Sequence, residues 1–342
     1  MSQVVDHLAE ITGYRDRDML DVALVAALRD TLRPDSVAIY RCVGDPGAQR
    51  WLTRARQRLD EPAASADPLW SDLDSLPTLD SYPLRAECLR AGRVQHLRGG
   101  VETALFPLSG SHEVLGVLEI ESAIELTPDE RRLVTGILRV FRNFQGLLDY
   151  SERDTLTGLL NRKTFDDSFL RSGAATPNVD DEPIAGQRRA PLSVRVWLGV
   201  IDIDHFKLVN DNFGHLIGDE VLLLLSRLMR SCFRLHDQLY RFGGEEFVVL
   251  LRAANEVDAG RAFERMRATV EGYAFPQVGR ITVSLGFTEV RVGDTPVGAF
   301  ARADKAVYHA KQSGRNRVAD HGALVASGVF AESQHASNVE LF

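Results

Sequence analysis

Leu239–Leu251 reads Leu-Tyr-Arg-Phe-Gly-Gly-Glu-Glu-Phe-Val-Val-Leu-Leu, two apolar runs meeting at Gly243 and Gly244. β-prone runs separated by residues that tolerate positive φ predict two strands joined at a tight tip. Glu245 and Glu246 stand at that tip. Acidic pairs at a hairpin usually just face solvent, but here the flanking runs pin the tip to the core of a sheet. Upstream, Leu192–Ile201 is a near-continuous apolar run, the pattern of a central strand buried on both faces. It leads into Asp202-Ile203-Asp204, and the two-residue period places Asp202 and Asp204 on one face at the strand's carboxyl end. A carboxylate there needs compensation. Mg2+ or a similar cation is the usual compensator for hard oxygen donors, and Glu245 is positioned to join Asp202 around it. For Asp204 the alternative is capping of the next helix.

Around this pair the chain alternates strand and helix. Gly218–Arg234 is helical with the stripe Val221, Leu222, Leu225, Leu228 and Met229. Asn255–Tyr273 is a helix, Arg280–Val290 a strand, and Val297–Ser313 a helix stopped by Gly314. Pro177–Pro191 reads as a surface insertion, and 321–342 as a loose tail.

The first 150 residues predict a mixed α/β domain. Met19–Leu32 is a helix ending before Pro34, followed by β-prone runs at Ser36–Cys42 and Trp51–Ala55 and a long loop over Asp60–Pro83. Thr103–Leu108 and Val114–Glu121 flank Ser109-Gly110-Ser111-His112 and predict a hairpin of an antiparallel sheet. Thr127, Pro128 and Glu130 then start a helix with a capping box. Its apolar residues Val134, Ile137, Phe141, Phe144 and Leu148 alternate spacings of three and four. That is the seam of a parallel coiled-coil dimer, or else the inner face of a helix packed on its own domain.

With 342 residues, the chain exceeds the ~100–200 typical of one domain. Lysine and arginine total 40 against 48 acidic residues, a net charge of −8, which argues against a nucleic-acid binder relying on a basic surface. The three cysteines, Cys42, Cys88 and Cys232, form no Cys-x-x-Cys pair, as expected of a reducing compartment without structural zinc. No apolar run approaches the ~18 residues of a membrane span, and no leader pattern opens the chain. A cytoplasmic location without membrane association is the expectation.

The ordered motifs of residues 151–320 resemble a GGDEF-domain diguanylate cyclase, with the signature in its GGEEF form at Gly243–Phe247. The same order holds Asp154-Thr155-Leu156-Thr157-Gly158-Leu159-Leu160-Asn161-Arg162, Asp202–Lys207, Asn210-Asp211, Gly214-His215 and Gly218-Asp219. It closes with Ala303-Asp304, Tyr308, Ala310-Lys311 and Gly314-Arg315-Asn316-Arg317. The resemblance implies a palm-like sheet, partly antiparallel, wrapped by helices. It also implies condensation of two GTP into cyclic di-GMP with release of pyrophosphate. By the same resemblance Asp202, Glu245 and the Ile203 carbonyl ligate Mg2+ or Mn2+, two ions per site, and Glu246 acts near the 3′-hydroxyl as general base or electrostatic partner. Asn210 and Asp219 take the guanine edge. Phe206, Lys207, His215, Gly243, Gly244, Lys311 and Arg315 complete the GTP site, Lys311 and Arg315 lying four apart for a joint grip on phosphate. Arg234 and Asp237, with Arg265, match the family's inhibitory Arg-x-x-Asp site for cyclic di-GMP, so product inhibition relieved by Arg234→Ala is expected.

Leu105–Leu108 and Val114–Ile120 with the capped helix resemble the closing half of a GAF sensory domain, a PAS domain or a ligand-free dimerisation module being the alternatives. The expected organisation is thus a GAF-like domain (1–126) with an unidentified small-molecule or protein signal, a signalling helix (127–153), the cyclase domain (154–320) and a tail, acting as a homodimer. A catalytically silent receptor for GTP or cyclic di-GMP is the rival; such receptors usually lose the carboxylates at Asp202, Glu245 or Glu246, all present here.

Overall fold

A computed structural model describes residues 2–14, 17–44, 47–67, 73–109, 114–174, 194–234 and 236–331. The chain divides into two units, 1–151 and 152–342. No helix among the described residues is long and apolar enough to cross a membrane.

The first unit runs α1 (Ser2–Gly13), α2 (Arg17–Leu32), β1 (Ser36–Val43), β2 (Arg50–Arg58), α3 (Pro83–Ala91), β3 (Gln95–Leu97), β4 (Glu102–Ser109), β5 (Val114–Ser122) and α4 (Pro128–Glu152). Its strands form one antiparallel sheet in the order β2-β1-β5-β4-β3, the sheet type expected. Gly110, Ser111 and His112 of the expected hairpin turn lie outside the described residues. The 60–83 stretch is laid along edge strand β2. Trp51 N donates to Pro77 O (2.9 Å), Thr53 N to the Asp67 carboxylate (2.7 Å), and Ser65 pairs with Arg56 in both directions. The outer amides of an edge strand, otherwise a template for aggregation, are thereby satisfied.

Thr127 and Glu130 form the expected capping box, with Thr127 N donating to Glu130 Oε2 (2.8 Å) and Glu130 N to Thr127 Oγ1 (3.3 Å). The stripe below it corrects the coiled-coil expectation. Val134, Ile137, Phe141 and Leu148 are buried, with Phe144 packed beside them, in a core shared with Leu20, Leu24 and Leu28 of α2 and with Ile39, Phe106 and Leu118 of the sheet. The stripe is therefore the inner face of this unit and is closed to a second chain. Spacing alone does not distinguish the two uses, because a coiled-coil seam and a domain-facing helix both repeat near every three to four residues.

On the opposite face of the sheet, Arg85 of α3 makes a bidentate bond to Glu119 of β5, both contacts 2.7 Å, with its guanidinium stacked on Tyr40 and Tyr82. Both side chains are about nine-tenths buried. Removing one charge leaves the other desolvated, so Glu119→Gln is expected to destabilise this unit by about 3–5 kcal/mol. Chemical denaturation followed by tryptophan fluorescence measures it; a midpoint equal to the parent's would refute the assignment. Nearby, burial pushes the Cys88 thiol up to about 12, which makes it an inert packing residue.

The second unit runs β6 (Leu160–Asn161), α5 (Arg162–Ala174), β7 (Arg195–Ile203), α6 (Phe206–Phe213), α7 (His215–Cys232), β8 (Gln238–Gly243), β9 (Glu246–Ala253), α8 (Glu256–Gly272), β10 (Ala274–Phe275), β11 (Gly279–Arg280), β12 (Val283–Glu289), α9 (Pro296–Gln312), β13 (Val318–Asp320) and α10 (His321–Ala326). Its main sheet has the order β13-β12-β7-β9-β8-β6, with parallel pairing only at the two edges. This is the mixed α+β, helix-wrapped sheet expected. Central strand β7 is buried on both faces: Trp197, Ile201 and Ile203 pack toward α7 and α8, and Val196, Leu198 and Val200 toward α5 and α9. Asp202 and Asp204 inherit the second, α9-facing side by the period of two. The Pro177–Pro191 insertion lies outside the described residues. The tail expectation is corrected over 321–331, where Asp320 caps α10 by accepting from Gly322 N (2.9 Å) and buried His321 packs on Phe330. A six-residue helix is too short to show a periodic pattern in sequence.

Candidate active site

The tip between β8 and β9 forms as its glycines require. Gly243 (φ 147°) and Gly244 (φ 49°) turn the chain so that Gly243 pairs with Glu246. Arg241 locks the turn, donating from Nε and Nη2 to Gly244 O (3.1 and 2.9 Å), while its Nη1 reaches Asp154 at 3.0 Å. Asp154 also accepts from the Thr157 amide and hydroxyl. Burial opposes its charge, yet bonds from Thr157 and Arg241 hold its carboxyl below the ordinary range. The opening Asp-Thr-Leu-Thr segment is thus a structural clamp on the tip, a link that sequence reading left unassigned although Asp154 and Arg241 were both singled out.

Across the strands, Asp202 of β7 lies directly opposite Glu246 of β9. Like charges in that register repel. Asp202 is 6% exposed, and its Oδ1 has no aligned hydrogen bond, the cation beside it being Lys311 Nζ of α9 at 2.8 Å. Burial pushes the Asp202 carboxyl up, and Asp204 and Asp304 add to this against the pull of Lys311. Burial, and then Asp202, likewise raise Glu245 and Glu246, both half-buried. Three carboxylates therefore share one partly dry corner with a single lysine against Asp202. No group of three or more His, Cys, Asp or Glu side chains among the described residues forms a ready-made metal cage. The buried Oδ1 of Asp202, in ion-pair contact with Lys311 but without an aligned hydrogen bond, and its anionic neighbours nonetheless suit a hard cation that takes only one or two carboxylates and completes its shell elsewhere.

Asp204 resolves differently from Asp202. It accepts from Thr282 Oγ1 (2.7 Å), Ser284 Oγ (2.7 Å) and Asn316 N (3.0 Å), so its carboxylate is bonded on both oxygens and caps no helix through its side chain. Ile203 is buried in β7, paired with Val283 of β12. Asn210 of α6 packs on Gly218 of α7, where a Cβ would stand 2.0 Å from Asn210 Oδ1, and Asp219 is the exposed residue that follows Gly218. Leu216, 81% exposed, lies one turn before Asp219, and His215 and Lys207 are also exposed. Phe206 is largely buried in the core under α7, its ring reaching the Gly218 position that Asn210 also approaches. Arg315 lies beyond the end of α9 at Gln312, exposed in the left-handed turn that follows, so the expected four-apart helical pairing with Lys311 is not formed and the two cations come from successive segments.

The Arg-x-x-Asp loop is separate. Asp237 Oδ2 accepts from Arg234 N (2.8 Å), and burial raises its carboxyl against the backbone bonds from Arg234 and Arg252. Arg265 of α8 donates to Cys232 O (3.2 and 2.7 Å), which puts its guanidinium at the same loop.

A family model described as diguanylate cyclase, GGDEF domain, matches residues 151–317. Residues 151–317 belong to the GGDEF domain family. The curated relative diguanylate cyclase DgcZ of Escherichia coli is 38% identical over 170 residues, 49% of this chain and 52% of that protein. The response regulator PleD of Caulobacter vibrioides is 38% identical over 203 residues, 58% of this chain and 41% of that protein. The chain thus spans about half the length of the curated relatives it matches. Among solved structures, the GGDEF domain of DgcB from Caulobacter crescentus in complex with c-di-GMP is 31% identical, with a TM-score of 0.44, covering 50% of this chain and 96% of that one. The GGDEF match begins where α4 ends, and the whole of the corner described above falls within it.

Proposed function

We propose that the chain is a diguanylate cyclase, condensing two GTP into cyclic di-GMP with release of two pyrophosphates. The observation that carries this is the intact corner of Asp202, Glu245 and Glu246 with Lys311 beside it. Asp202 and Glu245, with the Ile203 carbonyl, are the groups that would hold Mg2+ or Mn2+, and such ions supply neutralisation of the triphosphate and of the charge on the attacking 3′-oxygen. Lys311 from α9 and Arg315 from the turn after it grip the phosphates. Glu246 faces the 3′-hydroxyl; its carboxyl, raised by burial and by Asp202, is closer to the basicity a proton acceptor needs than that of an exposed glutamate.

Asp219 accepts the guanine N1 and N2 protons and Asn210 fixes the base edge. Gly218→Ala displaces the Asn210 amide, and is expected to lower kcat/KM for GTP by about 1–3 kcal/mol and to narrow the preference over ATP. Initial rates with both nucleotides measure it, and an unchanged preference would contradict the role. One domain binds one GTP, so the partner is a second copy of the chain. The Arg234–Asp237 loop with Arg265 receives the product as inhibitor, arginine suiting the guanine O6/N7 edge. The first unit is the regulatory input, resembling a GAF domain.

The deciding experiment incubates purified full chain, cleared of bound dinucleotide, with GTP and Mg2+ beside Glu245→Gln. Cyclic di-GMP from the parent alone supports the cyclase. Binding of GTP without product in either favours the silent receptor.

A further inference from the structure

After α9 the backbone enters a conformation that side chains disfavour. Gly314 (φ 110°), Arg315 (φ 63°) and Asn316 (φ 46°) are three consecutive positive-φ residues, two of them not glycine. Such residues persist only where the surroundings over-determine them, and they cluster at ligand clamps. Here the surroundings are specific. Arg315 N closes the helix end on Ala310 O (3.0 Å), and Leu285 N of β12 takes Arg317 O (2.9 Å). Between them, Asn316 N donates to Asp204 Oδ2 at 3.0 Å. The Asn316 side chain accepts from Arg267 Nη1 and donates to Glu271 Oε1, both 2.8 Å, tying the turn to α8. Asp204 is itself fixed by the Thr282 and Ser284 hydroxyls of β12 and is 5% exposed. It stands two residues beyond Asp202 on the same face of the chain leaving β7, while Lys311 approaches Asp202 from the helix that ends in this turn.

We propose that Asp204 and Asn316 are positioning residues for phosphate: Asp204 holds the left-handed turn through the Asn316 amide, and the turn fixes Arg315 and the end of α9 that carries Lys311. This rests on the cyclase reading, in which those two cations meet the triphosphate. Asp204 touches no substrate. It registers the phosphate-gripping helix end to the strand that carries Asp202, so that the two halves of the site keep one spacing. The base site on α6 and α7 makes no use of this network.

Calorimetry with pyrophosphate, and separately with guanosine, each with Mg2+ and the full chain, tests this without requiring turnover. Asp204→Ala removes all three acceptor contacts. It is expected to weaken pyrophosphate about ten- to a hundredfold with guanosine nearly unchanged, since displacements of about 1 Å have effects of that order. Asp204→Asn is expected to restore parent-like pyrophosphate affinity, its amide oxygen taking the place of Oδ2 and its NH2 donating to Ser284. Asn316→Ala leaves Asp204 intact but puts an alanine at φ 46°; it is expected to behave like Asp204→Ala and decides the matter if that variant fails to fold. Unchanged pyrophosphate affinity in the variants, equal loss of pyrophosphate and guanosine, or no rescue by asparagine would overturn the proposal, as would a parent that does not bind pyrophosphate. Absence of cyclic di-GMP from a parent that binds pyrophosphate with this pattern counts instead against the cyclase reading.

Discussion

Asp202→Asn is expected to lower cyclic di-GMP formation by at least about 10²–10³-fold, the scale of losing one electrostatic group from a reacting centre, while making the chelator-treated protein more stable than the parent. Both halves follow from the same geometry. Asp202 is buried, its Oδ1 lacks an aligned hydrogen bond, and Glu246 stands opposite it across β7 and β9. Burial raises its carboxyl above the unfolded value. A raised carboxyl favours folding when protonated, below its ordinary range, and that contribution is lost as pH rises through the folded value. At neutral pH the ionised group therefore opposes folding, and an amide of the same shape does not. Thermal melts in chelator at neutral pH should show the variant above the parent, and the difference should shrink as pH falls. A variant that melts lower while losing activity would mean that Asp202 is chiefly a structural partner of Lys311.

Phe141→Asp is expected to unfold the first unit. Phe141 is 2% exposed inside the core shared by α2, the sheet and α4. Truncating a buried phenylalanine costs about 3–5 kcal/mol, and an unpaired carboxylate in the same place costs more, against a total of about 5–15 kcal/mol for a typical domain. Leu147→Asp, on the outer face of the same helix at 67% exposure, is expected to stay within about 0.5 kcal/mol of the parent. Near-UV circular dichroism and limited proteolysis separate the two. A folded but monomeric Phe141→Asp protein would restore the dimer seam that the packing contradicts.

Much of the second unit is legible in sequence because its constraints are local and dense. The two-residue period from Val196 to Asp204 fixes which side chains face α9, and the glycine pair fixes where the hairpin turns. What is not legible is pairing across long separations. Nothing near Asp204 shows that its partners are Thr282, Ser284 and Asn316, and nothing near Asp154 shows that it holds Arg241. Those bonds are set by the order of strands in the sheet, which hydrophobic period does not encode. In the first unit the helix start at Thr127 is legible from its capping box, whereas the direction faced by its apolar stripe depends on what packs there.

The inward-facing stripe of α4 has a practical consequence for anyone recombining this protein. A graft made at Thr127, where the secondary structure invites a cut, would remove Val134, Ile137, Phe141 and Leu148 from the hydrophobic interior they complete and strand them in front of a foreign module. The first unit ends with the helix, at about Glu152, and a junction that leaves both units whole lies in the few residues before Asp154 begins its clamp on the tip.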